Sequence, residues 1–178
     1  MITRIIFNQA GSNPCQNQIT MLKELYTLAK LLFGTRPSDY VYRDLEVITM
    51  KHFPFKGYKC LSWCGRIIKR EGTLPMKRKD LNHEKIHVIQ AMLCNDSWVR
   101  YYLSYLWQWL KHGITSPVSA NYYINKYESE AYANEENYTY CQDYDTRYIS
   151  KYRIKHAKKL YRQLGSTPEA WKAYVKSL

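Results

Sequence analysis

The stretch LNHEKIHVIQ, residues 81 to 90, constrains this chain more than any other part of the sequence. His83 and His87 are four residues apart, and a helix brings two side chains to one metal ion only at a spacing of three or four residues. The whole chain holds five histidines. Two of them four residues apart, with a glutamate after the first, would rarely arise by chance in a chain of this composition. We therefore predict a helix here that presents both imidazoles on one face.

Two stripes run along this predicted helix, which we expect over residues 77 to 94. The polar stripe holds His83, His87, Gln90 and Cys94, and the adjoining apolar stripe holds Ile86, Ile89 and Leu93. The histidines would thus lie at the edge of the core and face a cleft. Glu84 points away from them by about a quarter turn. That placement suits a general base that reaches water rather than a metal ligand.

A third ligand is expected in YINKYESEAYANEENYTY, residues 123 to 140, within a helix predicted from Asn121 to Cys141. Glu128 lies beside the apolar stripe of that helix, as the histidines lie beside theirs, and is our choice. Glu135 shares the face of Glu128 and competes with it, either as a ligand or as the partner of a histidine Nδ1 proton. Glu130 is turned about 200° from Glu128 and ranks behind. The alternative is that these histidines and glutamates are solvated side chains on helix surfaces.

The order of these blocks resembles a known family. HEKIH followed by Gln90, an aromatic helix and YESEAYANE is similar to the gluzincin branch of the zincin metallopeptidases, in which two helical histidines and a later glutamate bind zinc. More narrowly, GYKCLSW, LNHEKIHVIQ and INKYESEAYANE resemble blocks of a group of small bacterial proteins from Bacteroidetes. The similarity spans residues 55 to 147, which is roughly half of the chain.

The resemblance implies one zinc ion held by His83, His87 and Glu128, with Glu84 as the catalytic base and a peptide or protein as the substrate. It also implies a zincin-like core in which the edge strand of a small sheet holds an extended peptide by strand addition. The chain departs from the family at Tyr132, where several gluzincin families have aspartate.

Residues that orient the ligands or stabilise the transition state are less well determined by the sequence. Gln90, Tyr132 and Glu135 are the candidates near the predicted ligands. A donor to a developing oxyanion is also needed, and Tyr122, Tyr123, Tyr132 and His112 could each supply it. The sequence leaves this choice open.

The remaining pattern predicts an α+β fold, a mostly helical zincin-like core with a small antiparallel sheet before the HEKIH helix. The expected elements are a helix at 19–33 ending at Gly34, short strands within 46–70 from EVITM, GYKCLSW and GRIIKR, helices at 98–111 and 121–141, and two short helices within 150–178 separated by Gly165 and Pro168. We expect one domain over residues 1–178. It would comprise an N-terminal helical extension (1–45), a motif core (46–147) and a basic helical tail (148–178).

The charge supports a second class of function. The 178 residues carry a net charge of +12, with a pI near 9.4, so the surface should attract polyanions. WVRYYLSYLWQWLKHGI, residues 98 to 114, has the Trp and Tyr density of a helix at a membrane surface. The alternative to a hydrolase is therefore a non-catalytic basic, aromatic-rich protein that binds an anionic membrane surface or, less favoured, nucleic acid. Against it, aromatic helical runs usually pack in a core.

Cysteine usage and hydropathy bear on location. Five cysteines, an odd number without the paired spacing of a zinc ribbon, favour a reducing compartment. We expect no cleaved export signal, because the apolar run near the N-terminus is only Ile5, Ile6 and Phe7. The sequence therefore predicts a cytoplasmic protein, with a peripheral position at the membrane as an option.

Overall fold

The computed structural model describes residues 14–54, 60–113, 120–142, 144 and 148–178. These residues form eight α-helices, a short 3-10 helix at Pro37–Tyr40 and three β-strands. The helices are α1 (Pro14–Gly34), α2 (Arg78–Met92), α3 (Trp98–Leu110), α4 (Ala120–Tyr123), α5 (Lys126–Asn134), α6 (Tyr148–Lys151), α7 (Ala157–Gln163) and α8 (Pro168–Lys176). The strands are β1 (Glu46–Met50), β2 (Cys60–Trp63) and β3 (Arg66–Arg70). The predicted α+β class is confirmed.

The sheet has the order β1-β3-β2, with β2 at one edge. A two-residue turn joins β2 to β3, and its residues Cys64 and Gly65 have φ of 49° and 73°, as in the type I′ turns that match strand twist. Glycine is needed at the second position because a Cβ there would lie 2.3 Å from the Tyr40 ring.

One part of the sheet prediction is wrong, since β1 pairs parallel to β3 and the sheet is mixed rather than antiparallel. The side chains of Ile67 and Ile68 in β3 are fully buried. This strand therefore takes the central position. The connection from β1 to β2 crosses it, which leaves β2 antiparallel to β3 at the far edge.

The helix predicted from Asn121 to Cys141 is also wrong, because it is divided into α4 and α5 and ends at Asn134. Asn125 makes the break: its side chain accepts a hydrogen bond from the Tyr127 backbone N–H at 3.1 Å and so begins α5. Asparagine favours such local bonds over a continuous helix. As a result Glu135 lies at the C-terminal cap of α5 rather than within a helix, and Tyr138, beyond the end of α5, is 40% exposed.

The two short helices predicted within 150–178 are present as α7 and α8, and the four-residue α6 overlaps the start of this range. The separation of α7 from α8 at Gly165 and Pro168 is as predicted. Trp171 of α8 is completely buried, and its Nε1–H donates to Ser129 Oγ of α5 at 3.1 Å. The tail therefore packs directly on the helix that carries Glu128. Throughout the described part of the chain, no helix combines the length and apolar character needed to cross a bilayer.

Candidate metal centre

His83 and His87 of α2 and Glu128 of α5 lie side by side in the interior. All three are buried, and their potential ligand atoms lie within 4.8 Å of one another. His83 Nε2 is 3.3 Å from Glu128 Oε2, and His87 Nε2 is 3.4 Å from Oε1. Ligands about 2.0–2.1 Å from a tetrahedral zinc ion are about 3.3 Å apart. The predicted convergence is therefore present, with a donor spacing that suits zinc.

The packing of α5 on α2 places the Glu128 carboxylate beside the two imidazoles. Glu128 is in the first turn of α5, directly after the break at Asn125, whose Nδ2 donates to the Tyr105 carbonyl of α3 at 3.3 Å. Ile86 of α2 packs with Ala131 of α5, and both are fully buried. The Asn125 cap fixes the start of α5, and the small side chain of Ala131 allows α5 to approach α2 closely. Glu128 therefore has a defined position opposite the histidines.

Among the described residues, one oxygen of the Glu128 carboxylate lacks a hydrogen-bond donor. Its Oε1 accepts a hydrogen bond from the Tyr105 hydroxyl at 2.8 Å. Its Oε2 is buried and accepts no hydrogen bond from any described residue, although His83 Nε2 lies 3.3 Å away as an ion-pair partner. A buried polar atom without a partner costs roughly 1–3 kcal/mol. Two imidazoles and an under-satisfied carboxylate form a donor set that fits a zinc ion.

Charge couples these three groups strongly. Burial alone would lower the pKa of His83, but its contacts with the Glu128 and Glu135 carboxylates, together with the charge of Glu84, raise that pKa to about 10. Burial opposes protonation of His87 as well, yet the charge of Glu128 raises its pKa. Burial alone would raise the pKa of Glu128, but the charges of His87 and His83 hold it far below its usual range. The carboxylate is therefore ionised, as a ligand must be.

Gln90 orients His87 from behind. His87 Nδ1 is 2.7 Å from Gln90 Oε1, while Gln90 Nε2 donates to Glu130 Oε2 at 2.7 Å and to the Tyr127 carbonyl at 3.0 Å. Because Nε2 faces two acceptors, the amide orientation is determined by its neighbours and Oε1 must face His87. Nδ1 of His87 therefore carries a proton, and Nε2 is the nitrogen that faces Glu128 and would bind a metal ion.

The two competitors for the third ligand position occupy other places. Glu130 is fully buried and turned away from the imidazoles, and its Oε1 accepts hydrogen bonds from Tyr140 at 2.8 Å and Tyr144 at 2.9 Å. Glu135 Oε2 lies 3.5 Å from His83 Nδ1, on the side of the ring opposite Nε2. The sequence offered two roles for Glu135, that of a ligand and that of the partner of a histidine Nδ1 proton. Its position corresponds to the second role, because its carboxylate lies beside Nδ1 of His83.

A cavity of about 200 Å³ opens onto the ligands. All four residues of β2 line it, together with Glu84, His87, Glu128, Tyr101, Tyr102, Tyr105 and Tyr122. Glu84, the predicted base, therefore faces the same space as two of the predicted ligands. The Sγ atom of Cys60 approaches Glu84 Oε1 to 3.9 Å. An edge strand, a carboxylate and the candidate ligands surround one small chamber.

The residues considered as transition-state stabilisers are spread over the fold. Tyr122 lines the cavity. The Tyr132 ring packs on His83, with 4.6 Å between ring centroids. Tyr123 packs against the cluster that contains Trp171, and His112 follows α3 beside two lysines. Of these, Tyr122 is the one that borders the chamber.

Sequence reasoning did not single out Tyr101 and Tyr105, although both line the cavity and Tyr105 bonds the ligand Glu128. Their four-residue spacing, in phase with Trp98, places them on the inner face of α3. That phase was visible in the sequence. The bond to Glu128 was not, because it joins two helices.

Comparisons with known proteins do not extend this description: no family model, no curated protein and no solved structure matches the chain. The interpretation of the centre therefore depends on its geometry and on the chemistry of its side chains.

Proposed function

We propose that this protein is a zinc-dependent hydrolase of the gluzincin type that cleaves peptide or related amide bonds. One observation carries the proposal: two helical imidazoles and the buried Glu128 carboxylate lie together, and two members of this group border the same cavity as the Glu84 carboxylate. His83, His87 and Glu128 would hold the ion. When bound, zinc would polarise the substrate carbonyl and lower the pKa of water towards 7.

Glu84 supplies the proton transfers in this proposal. Its carboxylate accepts a proton from the attacking water as the water oxygen bonds to the carbonyl carbon. It then gives that proton to the nitrogen as the C–N bond breaks. One water is consumed, and a carboxylic acid and an amine are produced.

Substrate binding follows from the position of β2. Within the described residues, β2 is an edge strand of the sheet and all its residues line the cavity, so in this proposal an extended substrate backbone pairs along it. The hydroxyl of Tyr122, which also lines this cavity, is our candidate donor to the oxyanion. Aromatic rings of α3 enclose the chamber and would exclude bulk water from the reacting bond.

The test separates metal binding from catalysis. Elemental analysis of the purified protein should give one zinc per chain, and His83→Ala and Glu128→Ala should both lose it. Glu84→Gln should keep the zinc but lose about 10²–10⁴-fold in the rate of hydrolysis of a quenched fluorescent peptide library. Glu71→Gln changes an exposed carboxylate after β3 and is the matched control.

Each outcome bears on a separate part of the proposal. A folded wild-type protein that binds no zinc would refute the metal centre. Full hydrolytic activity in Glu84→Gln would refute the role of Glu84. Zinc binding without hydrolysis of any library member would reduce the proposal to a non-catalytic metalloprotein.

A further inference from the structure

A stripe of exposed apolar side chains runs along the outer face of α3. It consists of Val99, Leu103, Leu106, Trp107 and Leu110, all at least one-third exposed. Their spacing of three or four residues places them on one side of the helix. Leu103 and Trp107 are the most exposed, at 63% and 66%. Folded proteins rarely leave such a continuous apolar face in water unless it contacts something.

The inner face of the same helix has a different role. Trp98 and Tyr101 are buried in the core, as expected of an aromatic run. Tyr101, Tyr102 and Tyr105 line the cavity of the candidate centre. The core therefore accounts for one side of α3 but not for its outer stripe.

Four cations gather where α3 ends: Lys111, Lys126, Arg153 and Lys158. Burial and then the charge of Arg153 lower the pKa of Lys111, and the same two causes lower that of Lys126. Lys158 reaches the same place, where its Nζ donates to the His112 carbonyl at 2.6 Å. Among the residues that the structure describes, no carboxylate forms an ion pair with any of the four.

We propose that the outer stripe of α3 docks on an anionic lipid surface, with the four cations at the phosphate headgroups. A helix with an apolar face, a tryptophan on that face and adjacent cations has the composition of helices that lie in the bilayer interface. Nucleic acid would use the cations but would give the leucines of the stripe no partner. The combination of the apolar stripe along α3 with cations at the C-terminal end of the same helix therefore favours lipid.

The inference does not depend on the hydrolase proposal, because the side chains of α3 that line the candidate centre, Tyr101 and Tyr105, lie on the other face of this helix from the stripe. It does have a consequence for substrate access. An α-helix with its side chains is about 10–12 Å across, so docking would hold the cavity on the inner face of α3 about that far from the bilayer. Membrane-proximal polypeptide segments would then be within reach of β2.

The first experiment is co-sedimentation of the full chain with vesicles of phosphatidylcholine alone and of phosphatidylcholine mixed with phosphatidylglycerol. We expect binding to the mixed vesicles only, weakened by salt because surface charges are screened. Leu103→Ser combined with Trp107→Ser should abolish it, and both positions are exposed enough to tolerate the change. Leu74→Ser, at an 87% exposed leucine before α2, is the matched control and should bind normally.

The second experiment removes charge. Lys111→Gln combined with Arg153→Gln should weaken binding roughly thirtyfold, since each cation near an anionic surface contributes about fivefold. Lys51→Gln combined with Lys77→Gln removes two exposed cations elsewhere and should have a much smaller effect.

Four results would overturn the proposal. The first is no binding to mixed vesicles even at low salt. The second is binding that persists after the Leu103 and Trp107 changes, which would mean general charge attraction. The third is self-association without vesicles that the same changes abolish, which would make a second copy the occupant. The fourth is displacement of the protein from the vesicles by duplex DNA or RNA, where the Leu103 and Trp107 variant binds that nucleic acid as well as the wild-type protein does.

Discussion

Replacing Gln90 by methionine isolates the contribution of the residue behind His87. Methionine has similar length and keeps the volume of the site, but it removes the acceptor 2.7 Å from His87 Nδ1 and the donor to Glu130 and Tyr127. A partner that fixes the orientation of a metal-binding histidine is typically worth about 10–100-fold in metal affinity. We therefore expect the zinc Kd of Gln90→Met to rise by about that factor.

The same change should also destabilise the metal-free protein. Two buried polar groups, His87 Nδ1 and Glu130 Oε2, lose their partner at roughly 1–3 kcal/mol each, so the loss is of order 2 kcal/mol or more from a total of about 5–15 kcal/mol. Urea unfolding of the metal-free protein measures this loss, and competition with a chromophoric chelator measures the zinc Kd. Gln163→Met, at an exposed position of α7, should alter neither quantity.

Glu130→Gln keeps the experiment informative if Gln90→Met does not fold. The glutamine can turn its carbonyl towards Gln90 and its amide towards the tyrosine hydroxyls, which accept as well as donate. It therefore removes the charge while keeping the bonds, and we expect it to change the zinc Kd by less than about tenfold, the lower limit expected for Gln90→Met. An unchanged zinc Kd in a folded Gln90→Met protein would refute the orienting role.

Three further predictions follow from individual contacts. The pKa of His83 is raised to about 10, so its protonation stabilises the metal-free fold below pH 6.5, and this contribution is lost as the pH rises through 10. The gain in melting temperature on adding zinc should therefore grow between pH 6.5 and 10. A gain that stays constant over this range would contradict the prediction. Burial raises the pKa of the Cys64 thiol to about 12, so mass spectrometry should show iodoacetamide modifying it at neutral pH only after unfolding, and rapid modification of the native protein would contradict it. Gly65→Ala should cost roughly 1–3 kcal/mol in thermal or urea unfolding, because its φ is 73° and the new Cβ would meet Tyr40; Gly72→Ala, with φ of 78° and open space, should cost less.

The candidate ligands could be predicted from sequence because they depend on local helix geometry. His83 and His87 share a face of one helix, and Glu128 has the expected phase because residues 126 to 134 do form a helix. For Glu135 the prediction assumed that this helix continues. It instead ends at Asn134, and Glu135 reaches His83 Nδ1 from the cap position.

The remaining features depend on contacts between distant segments. The pattern of β1 is equally compatible with parallel and antiparallel pairing, so its parallel partner β3 could not be read from residues 46 to 50. The same holds for the Tyr140 and Tyr144 hydroxyls on Glu130, which follow from the turns after α5. Asn125 was the local signal available for the break between α4 and α5, since asparagine readily caps a helix.

The number of protein ligands decides between a structural and a catalytic centre. Structural zinc sites are closed by four protein ligands, whereas catalytic ones use three and keep a position open. In the described part of the chain the group suited to a metal has three members, His83, His87 and Glu128. Two of them border the cavity that also contains Glu84. Because the chamber that these residues border also contains the Glu84 carboxylate and is lined by the edge strand β2, the arrangement favours a centre that acts on a bound molecule over one that only holds the fold together.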